Sequence, residues 1–478
     1  MAAPPVSDGA LDVADIQGLA LYGFGRLRAA RYVLLGAGDA AGARRWLAAI
    51  AGRITSASAR AEGTAINVAV TAAGLAAIGV PPETLAGFSL EFTEGIATPH
   101  RSRILGDVGE SAPERWAWGG PAGERVDVLL LLFASDEPAL SRLQATSVRE
   151  AEAAGLRVVA TLDTVDLGDV EHFGFRDGIS QPAIAGSGRA GSAMNTIQPG
   201  ELLLGYVNEH GQLTERPTLA PAGDPAGVLP RDAATGRPDL GRNGGYLVVR
   251  QLRQDVRGFW RWVDSETRPA DGPADPAALT LLAAKMVGRW PSGAPLVLAP
   301  EHDDPALSQA NDFSYHATDP NGWRCPIGAH VRRANPRDSL EPRPGTEQSI
   351  AVGRRHRLVR RGREYGPPVA PGTLLDEADD GVDRGLHFIC VCANIARQFE
   401  FIQSTWVTSP KFAGLYVDDD PLLGVHGASG GEFRVQAEPV RRRHVGLPRF
   451  VTVQGAGYFF LPGLRALRYL AEAPLDRR

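Results

Sequence analysis

Lysine and cysteine are nearly missing from this 478-residue chain: its 50 basic residues include only Lys285 and Lys411, and its cysteines are Cys325, Cys390 and Cys392. So few cysteines exclude a disulfide-stapled scaffold and suit a reducing compartment. Cys390 and Cys392 face one side of a strand; with no further Cys or His at ligand spacing, the pair reads as packing. Long apolar runs are also lacking. The longest, residues 126–134, contains Asp127 and falls far short of the ~20 residues a membrane helix needs. The first eighteen residues have neither the basic start nor the apolar stretch of a secretory signal, which predicts a cytoplasmic protein with no membrane partner. A net charge of −5 leaves no basic surplus for nucleic acid. Walker A and HExxH patterns do not occur, which argues against a P-loop enzyme and a zinc hydrolase.

What is there is an ordinary globular composition, 44% hydrophobic and 22% charged, enough for a large core. An internal echo organises it. Tyr32-Val-Leu-Leu precedes a helical stretch with Trp46, and Tyr246-Leu-Val-Val precedes one with Trp260. Residues 126–134 and 386–393 are likewise strand-like runs followed by helical ones. Two matches in the same order predict a duplicated α+β unit, each half an antiparallel sheet with helices on one face, and the ferredoxin-like βαββαβ plan fits. The Pro/Gly-rich stretch at 217–227 places the boundary near residue 220, giving halves 1–220 and 221–478. Residues 101–125, 183–200 and 335–371 read as loops.

Two familiar patterns carry no chemistry. Gly186-Ser-Gly188-Arg-Ala-Gly191 matches GxGxxG without a preceding strand, and Gly427-Ala-Ser429-Gly-Gly431 matches GxSxG without a following helix; both read as loops. Two other segments differ. Gly174-Phe-Arg-Asp177-Gly178 sets a carboxylate in a glycine-flanked turn. Cys325-Pro-Ile-Gly-Ala-His330-Val-Arg-Arg-Ala-Asn-Pro-Arg337 sets one histidine beside small residues and then three arginines, which suits an anionic porphyrin: an axial nitrogen for iron and guanidiniums for propionates.

These two segments resemble the GxxDG and proximal-histidine motifs of the dye-decolorising peroxidases. The resemblance extends from Asp15-Ile-Gln-Gly18 to Gln398-Phe-Glu-Phe-Ile-Gln403, and the length is similar to the longer bacterial branch. It implies a pair of ferredoxin-like domains of the dimeric α+β barrel superfamily, with haem b held mainly in the C-terminal half. His330 would ligate iron and Glu400, with Gln403 as fallback, would accept its Nδ1–H. Asp177 would shuttle the peroxide proton, and Arg360, with Arg361 as alternative, would neutralise charge on the breaking O–O bond. Ile179, Leu386 and Phe388 would wall the pocket, and Arg337 would hold a propionate, leaving Arg332 and Arg333 to structural roles. The implied activity is reduction of H2O2 with one-electron oxidation of dyes, phenols or similar aromatics through a ferryl intermediate, the electrons leaving by a Trp or Tyr near the surface. A non-catalytic haem-binding or haem-trafficking protein of the same fold is the alternative, and it would not require Asp177 or Arg360.

Overall fold

The computed structural model describes residues 10–370, 372–376 and 380–472. The expectation for the first residues, the ends of both predicted halves and the end of the predicted 335–371 loop lie outside them. Strands β1 (Ala29–Ala37), β2 (Thr64–Val70), β3 (Val128–Ala134) and β4 (Leu156–Asp163) come from the first part of the chain. Strands β5 (Gly245–Gln254), β6 (Val359–Arg360), β7 (Arg363–Tyr365), β8 (Gly385–Cys392) and β9 (Val451–Leu461) come from the second. They form one nine-stranded sheet in the order β4-β1-β3-β2-β9-β5-β8-β6, with β7 also paired to β8. Every pairing is antiparallel. If β6 and β7 are counted as one interrupted strand, each half repeats the fourth-first-third-second order of the ferredoxin-like plan. The halves join edge to edge, where Val70 of β2 meets Phe460 of β9.

The crossover helices start for a common reason. Helices α1 (Ala40–Ala51), α2 (Glu137–Ala153) and α3 (Val256–Thr267) each follow an aspartate whose carboxylate accepts an N–H three residues on: Asp39 from Gly42, Asp136 from Ala139 and Asp255 from Gly258. In β3 the sequence Val-Leu-Leu-Leu-Leu-Phe-Ala is buried throughout, because both faces of the sheet are covered. Val128, Leu130 and Leu132 pack with Trp46 of α1, Leu140 of α2 and Leu467 near the end of the described chain. Leu129, Leu131 and Phe133 pack under loops and very short elements that supply Leu19, Leu27, Ile184 and Tyr206. An antiparallel sheet buried on both sides loses the usual apolar/polar alternation. Cys390 and Cys392 are buried and free, in the same cluster as Trp46.

The echo lives in the order of elements and not in its letters. Tyr32 faces the loop-covered side and Tyr246 the helix-covered side, so the matched tyrosines are not equivalent positions. The halves also differ in what joins helix to strand. Residues 52–63 suffice between α1 and β2, whereas residues 268–358 intervene between α3 and β6 and carry the short helix α4 (His330–Ala334). Helix α5 (Leu464–Glu472) follows β9 and packs against α1. Among the described residues no helix is long and apolar enough to cross a membrane.

Candidate active site

A cavity of about 280 Å³ opens beside β5, β8 and β9, and Asp177, Ile179, His330, Arg360, Leu386 and Phe388 all line it. Asp177 reaches it through a turn that its neighbours fix. Gly174 and Gly178 take left-handed φ values of 92° and 79°, where a side chain would be strained. Between them Phe175 stacks on Trp260, and Phe173 lies 4.7 Å from Phe259, anchoring the turn in the core. Glu171 closes it by accepting the Phe173 and Phe175 N–H groups at 2.9 and 3.1 Å and the Gln254 amide at 2.7 Å.

Arg360 is held on β6 opposite Cys390 of β8 and donates from Nη1 to Asp177 Oδ1 at 2.7 Å. The Gln181 side chain pairs with Arg360 as a neighbouring strand would: its Oε1 accepts the backbone N–H at 3.0 Å and its Nε2 donates to the carbonyl at 3.3 Å. Burial alone would raise the Asp177 carboxyl. The Arg360 charge and hydrogen bond, the Gly178 N–H and the His330 charge outweigh it and hold the group below the usual carboxylate range. The side chains of Asp177 and Arg360 keep 35% and 34% exposure, turned toward the cavity they line.

His330 opens α4. Its Nδ1–H donates to Asp420 Oδ2 at 2.8 Å, and among the described residues its Nε2 has no hydrogen-bond partner. Asp420 is fully buried and is fixed by the Leu422 and Leu423 N–H groups, both 2.9 Å from Oδ1. Burial would raise this carboxyl too, but His330, Arg333 and the backbone N–H hold it low. Against its own burial, the His330 ring is raised chiefly by Asp420.

Two expectations are corrected. Glu400 does not reach His330: its carboxylate takes both oxygens' worth of Arg101 Nη1, at 2.7 and 2.9 Å, and the Tyr458 hydroxyl at 2.8 Å. The apolar run around it indicated burial, but its partner lies 299 residues away in sequence. The fallback, Gln403, lines the cavity and donates to the Leu105 carbonyl. Asp420 was missed because it ends an acidic run, Asp418-Asp419-Asp420, of a kind that normally faces water; the Pro421-Leu422-Leu423 that follows was its one local signal of burial. Arg337 does not line the cavity; it donates to Asn311 O and Oδ1, both at 2.8 Å, and lies over the Phe313 ring. Three guanidiniums line it without a carboxylate partner among the described residues: Arg449, which donates to Val108 O and Ser111 Oγ, and the buried Arg289 and Arg357. Burial lowers the latter two to about 10 and about 9. Arg332 and Arg333 bond mainly backbone carbonyls, together with Asp319 for Arg332, and tie α4 in place.

The residues fit a haem. An imidazole with a fixed tautomer offers Nε2 to a metal, two buried uncompensated cations suit propionates, and Leu386, Phe388, Phe399 and Ile402 give apolar walls. An iron porphyrin that activates peroxide needs a nitrogen on one side and proton-transfer and charge-neutralising groups on the other. Fold and cavity together define the class of haem peroxidases.

The comparisons with known proteins narrow the class. No family model matches the chain. The dye-decolorizing peroxidase of Exidia glandulosa is 30% identical over 491 residues, covering 97% of this chain and 88% of that protein. The multifunctional dye peroxidase DyP2 of Amycolatopsis sp. is 30% identical over 470 residues, covering 92% and 91%. A match to the Mycena epipterygia dye-decolorizing peroxidase, 34% identical, spans 63% of this chain and 57% of that protein. The deferrochelatase of Yersinia pestis is 28% identical over 50% of this chain and 38% of its own length. A solved dye-decolorizing peroxidase from Auricularia auricula-judae has a TM-score of 0.79 at 26% identity, covering 97% of this chain and all of that one. This chain belongs to the dye-decolorizing peroxidase family.

Proposed function

We propose that the protein is a haem b peroxidase that reduces H2O2 and oxidises phenols, dyes or similar aromatic donors one electron at a time. The observation that carries this reading is that one cavity is lined by His330, which the buried Asp420 backs, and by the ion pair of Asp177 with Arg360. Bound haem would supply the iron that accepts oxidising equivalents from peroxide in a pair and returns them singly.

The chain's own residues do the rest. His330 Nε2 would hold the haem iron, and the buried Asp420 carboxylate makes the imidazole more basic and fixes which nitrogen is free. Asp177 takes the proton from one peroxide oxygen and delivers it to the other, so the leaving oxygen departs as water. Its low pKa keeps it a proton acceptor in acid. Arg360 orients that carboxylate and offsets the negative charge developing on the O–O bond. Arg289 and Arg357 hold the propionates, and the apolar walls, Ile179, Leu386 and Phe388 among them, limit water beside the reacting oxygens.

The Amycolatopsis relative, matched along nearly its whole length, supports placement in the longer bacterial branch. The three unpaired cysteines support a cytoplasmic location. The division 1–220 and 221–478 follows the repeated strand order. The test is stopped-flow absorbance of haem-loaded protein with one equivalent of H2O2 near pH 4 and pH 7. A Soret band that changes rapidly and returns on adding an aromatic donor is expected. A Soret band that ignores peroxide would leave the haem-trafficking alternative.

A further inference from the structure

A second cavity, of about 570 Å³, lies behind the distal wall of the first. The two share a septum built from two chain segments. In one, Ile179 and Ser180 line the first cavity and Gln181 and Pro182 the second; in the other, Arg360 lines the first and Arg361 the second. Arg360 and Arg361 part because successive residues of extended chain point to opposite faces. The amide of Gln181, bonded to both backbone groups of Arg360, stitches the segments together.

Among the described residues, the lining of the second cavity contains Arg26, Arg60, Arg189 and Arg361 and no aspartate or glutamate. Arg26, Arg60 and Arg189 are exposed, and their guanidiniums have no hydrogen bond or ion pair among the described residues. Arg361 is partly buried and donates only to the carbonyls of Leu19, Ala20 and Arg360, so no carboxylate offsets its charge. Cations gathered in a concavity without acids repel one another and leave guanidinium donors free for an anion. The remaining walls are aromatic and aliphatic, with Tyr22, Leu21 and Ile184 beside the arginines. At the floor, Phe24 holds a left-handed φ of 50°, a strained conformation for a bulky residue of the kind found at ligand clamps. The loop after Gly186, a motif with no part in the haem cavity, supplies Gly188 and Arg189.

We propose that this cavity binds an anionic aromatic electron donor, an aryl sulfonate or aryl carboxylate, with the acid group among the arginines and the ring against Tyr22 and Leu21. The inference rests on the peroxidase reading for its use: each bound donor gives up one electron across the septum, and two such electrons with two protons convert H2O2 to two waters. Binding itself needs no turnover, which separates the two readings.

The test is calorimetric titration of the haem-loaded protein with naphthalene-2-sulfonate, against the uncharged naphthalene-2-sulfonamide and inorganic sulfate. The sulfonate is expected to bind at one site, with affinity falling about fivefold or more in Arg189→Glu, further in Arg60→Glu/Arg189→Glu, and with added salt. Equal binding of the sulfonamide, unchanged affinity in the double variant, or sulfate binding as tightly as the sulfonate would each overturn it. In turnover, the double variant is expected to raise KM for a disulfonated azine dye and leave 2,6-dimethoxyphenol unaffected. An equal loss for the neutral phenol would place the effect at the haem and refute the site. If the haem-loaded protein ignores peroxide yet binds the sulfonate as described, the peroxidase reading fails and the binding site stands.

Discussion

Replacing Asp420 by asparagine changes one atom at the back of the candidate iron ligand and inverts a hydrogen bond. In the native site Oδ1 accepts the Leu422 and Leu423 N–H groups and Oδ2 accepts from His330 Nδ1 at 2.8 Å. An asparagine keeps its oxygen on the two backbone donors, so its NH2 faces Nδ1 and donates to it. The ring proton is then driven to Nε2, the nitrogen that should bind iron. Loss of such an outer partner typically costs about 10- to 100-fold in metal affinity, or ~1.4–2.7 kcal/mol. Full burial of the carboxylate and the inverted tautomer place Asp420→Asn at the upper end. The assay is haem transfer to apomyoglobin, with the reduction potential measured alongside; faster haem loss and a raised potential are expected, since a neutral partner makes the imidazole a weaker donor. Glu400→Gln is the control. It should leave spectrum and potential alone while costing about 1–3 kcal/mol of stability, because Arg101 loses its buried counter-charge and keeps only the exposed Glu94. A normal haem in Asp420→Asn together with a shifted one in Glu400→Gln would refute the assignment.

Asp177→Asn should lower the rate of reaction with peroxide about 10²- to 10⁴-fold, measured by stopped flow. In the wild type the carboxylate persists below its ordinary range, so the acid limb of kcat/KM lies below about pH 4. Arg360→Leu removes the main lowering influence and leaves burial, so that limb should move upward. Glu171, raised by burial to about 7 against an ordinary 4.5, binds more protons folded than unfolded. Its contribution to stability is fully present below pH 4.5 and is lost as pH rises through about 7; Glu171→Gln should flatten the change in apoprotein Tm between pH 5 and pH 8. Arg357→Met should raise the Tm of the apoprotein, by removing an uncompensated buried cation, and speed haem loss from the holoprotein; effects of the same sign on both would argue against a propionate role.

The legible parts of the fold were those with short-range causes. Strand-then-helix order showed in the apolar runs at 126–134 and 386–393, and the turn around Asp177 in its flanking glycines. The second covered face was not legible, because residues 11–27 and 184–206 lie over the sheet without any periodicity of their own. Within the site, Arg360 and Arg361 are indistinguishable in composition and part only because one backbone step turns them to opposite faces. Glu400 and Asp420 exchanged places for a related reason. A carboxylate in an apolar run will be buried, but its partner is chosen by tertiary packing, and Arg101 reached Glu400 across 299 positions. Arg337 follows the same rule, its charge being absorbed by the Asn311 and Phe313 carbonyls.

The position of β9 has a consequence for biosynthesis. The strand that follows all the others of this sheet in the chain, Val451–Leu461, lies at its centre between β2 and β5, and Asp420 precedes it by only a few tens of residues. Chains leave the ribosome N-terminus first, at about 5–20 residues per second. The four strands of the first half can pair early, but the facing edges of β2 and β5 stay open until β9 arrives, and His330 is made 90 residues ahead of its carboxylate. His330, Arg360 and Asp420 are therefore all made before the strand that joins the two halves of the sheet, so a chain that stopped short of Val451 would carry every one of these site residues on two half-sheets with nothing between them.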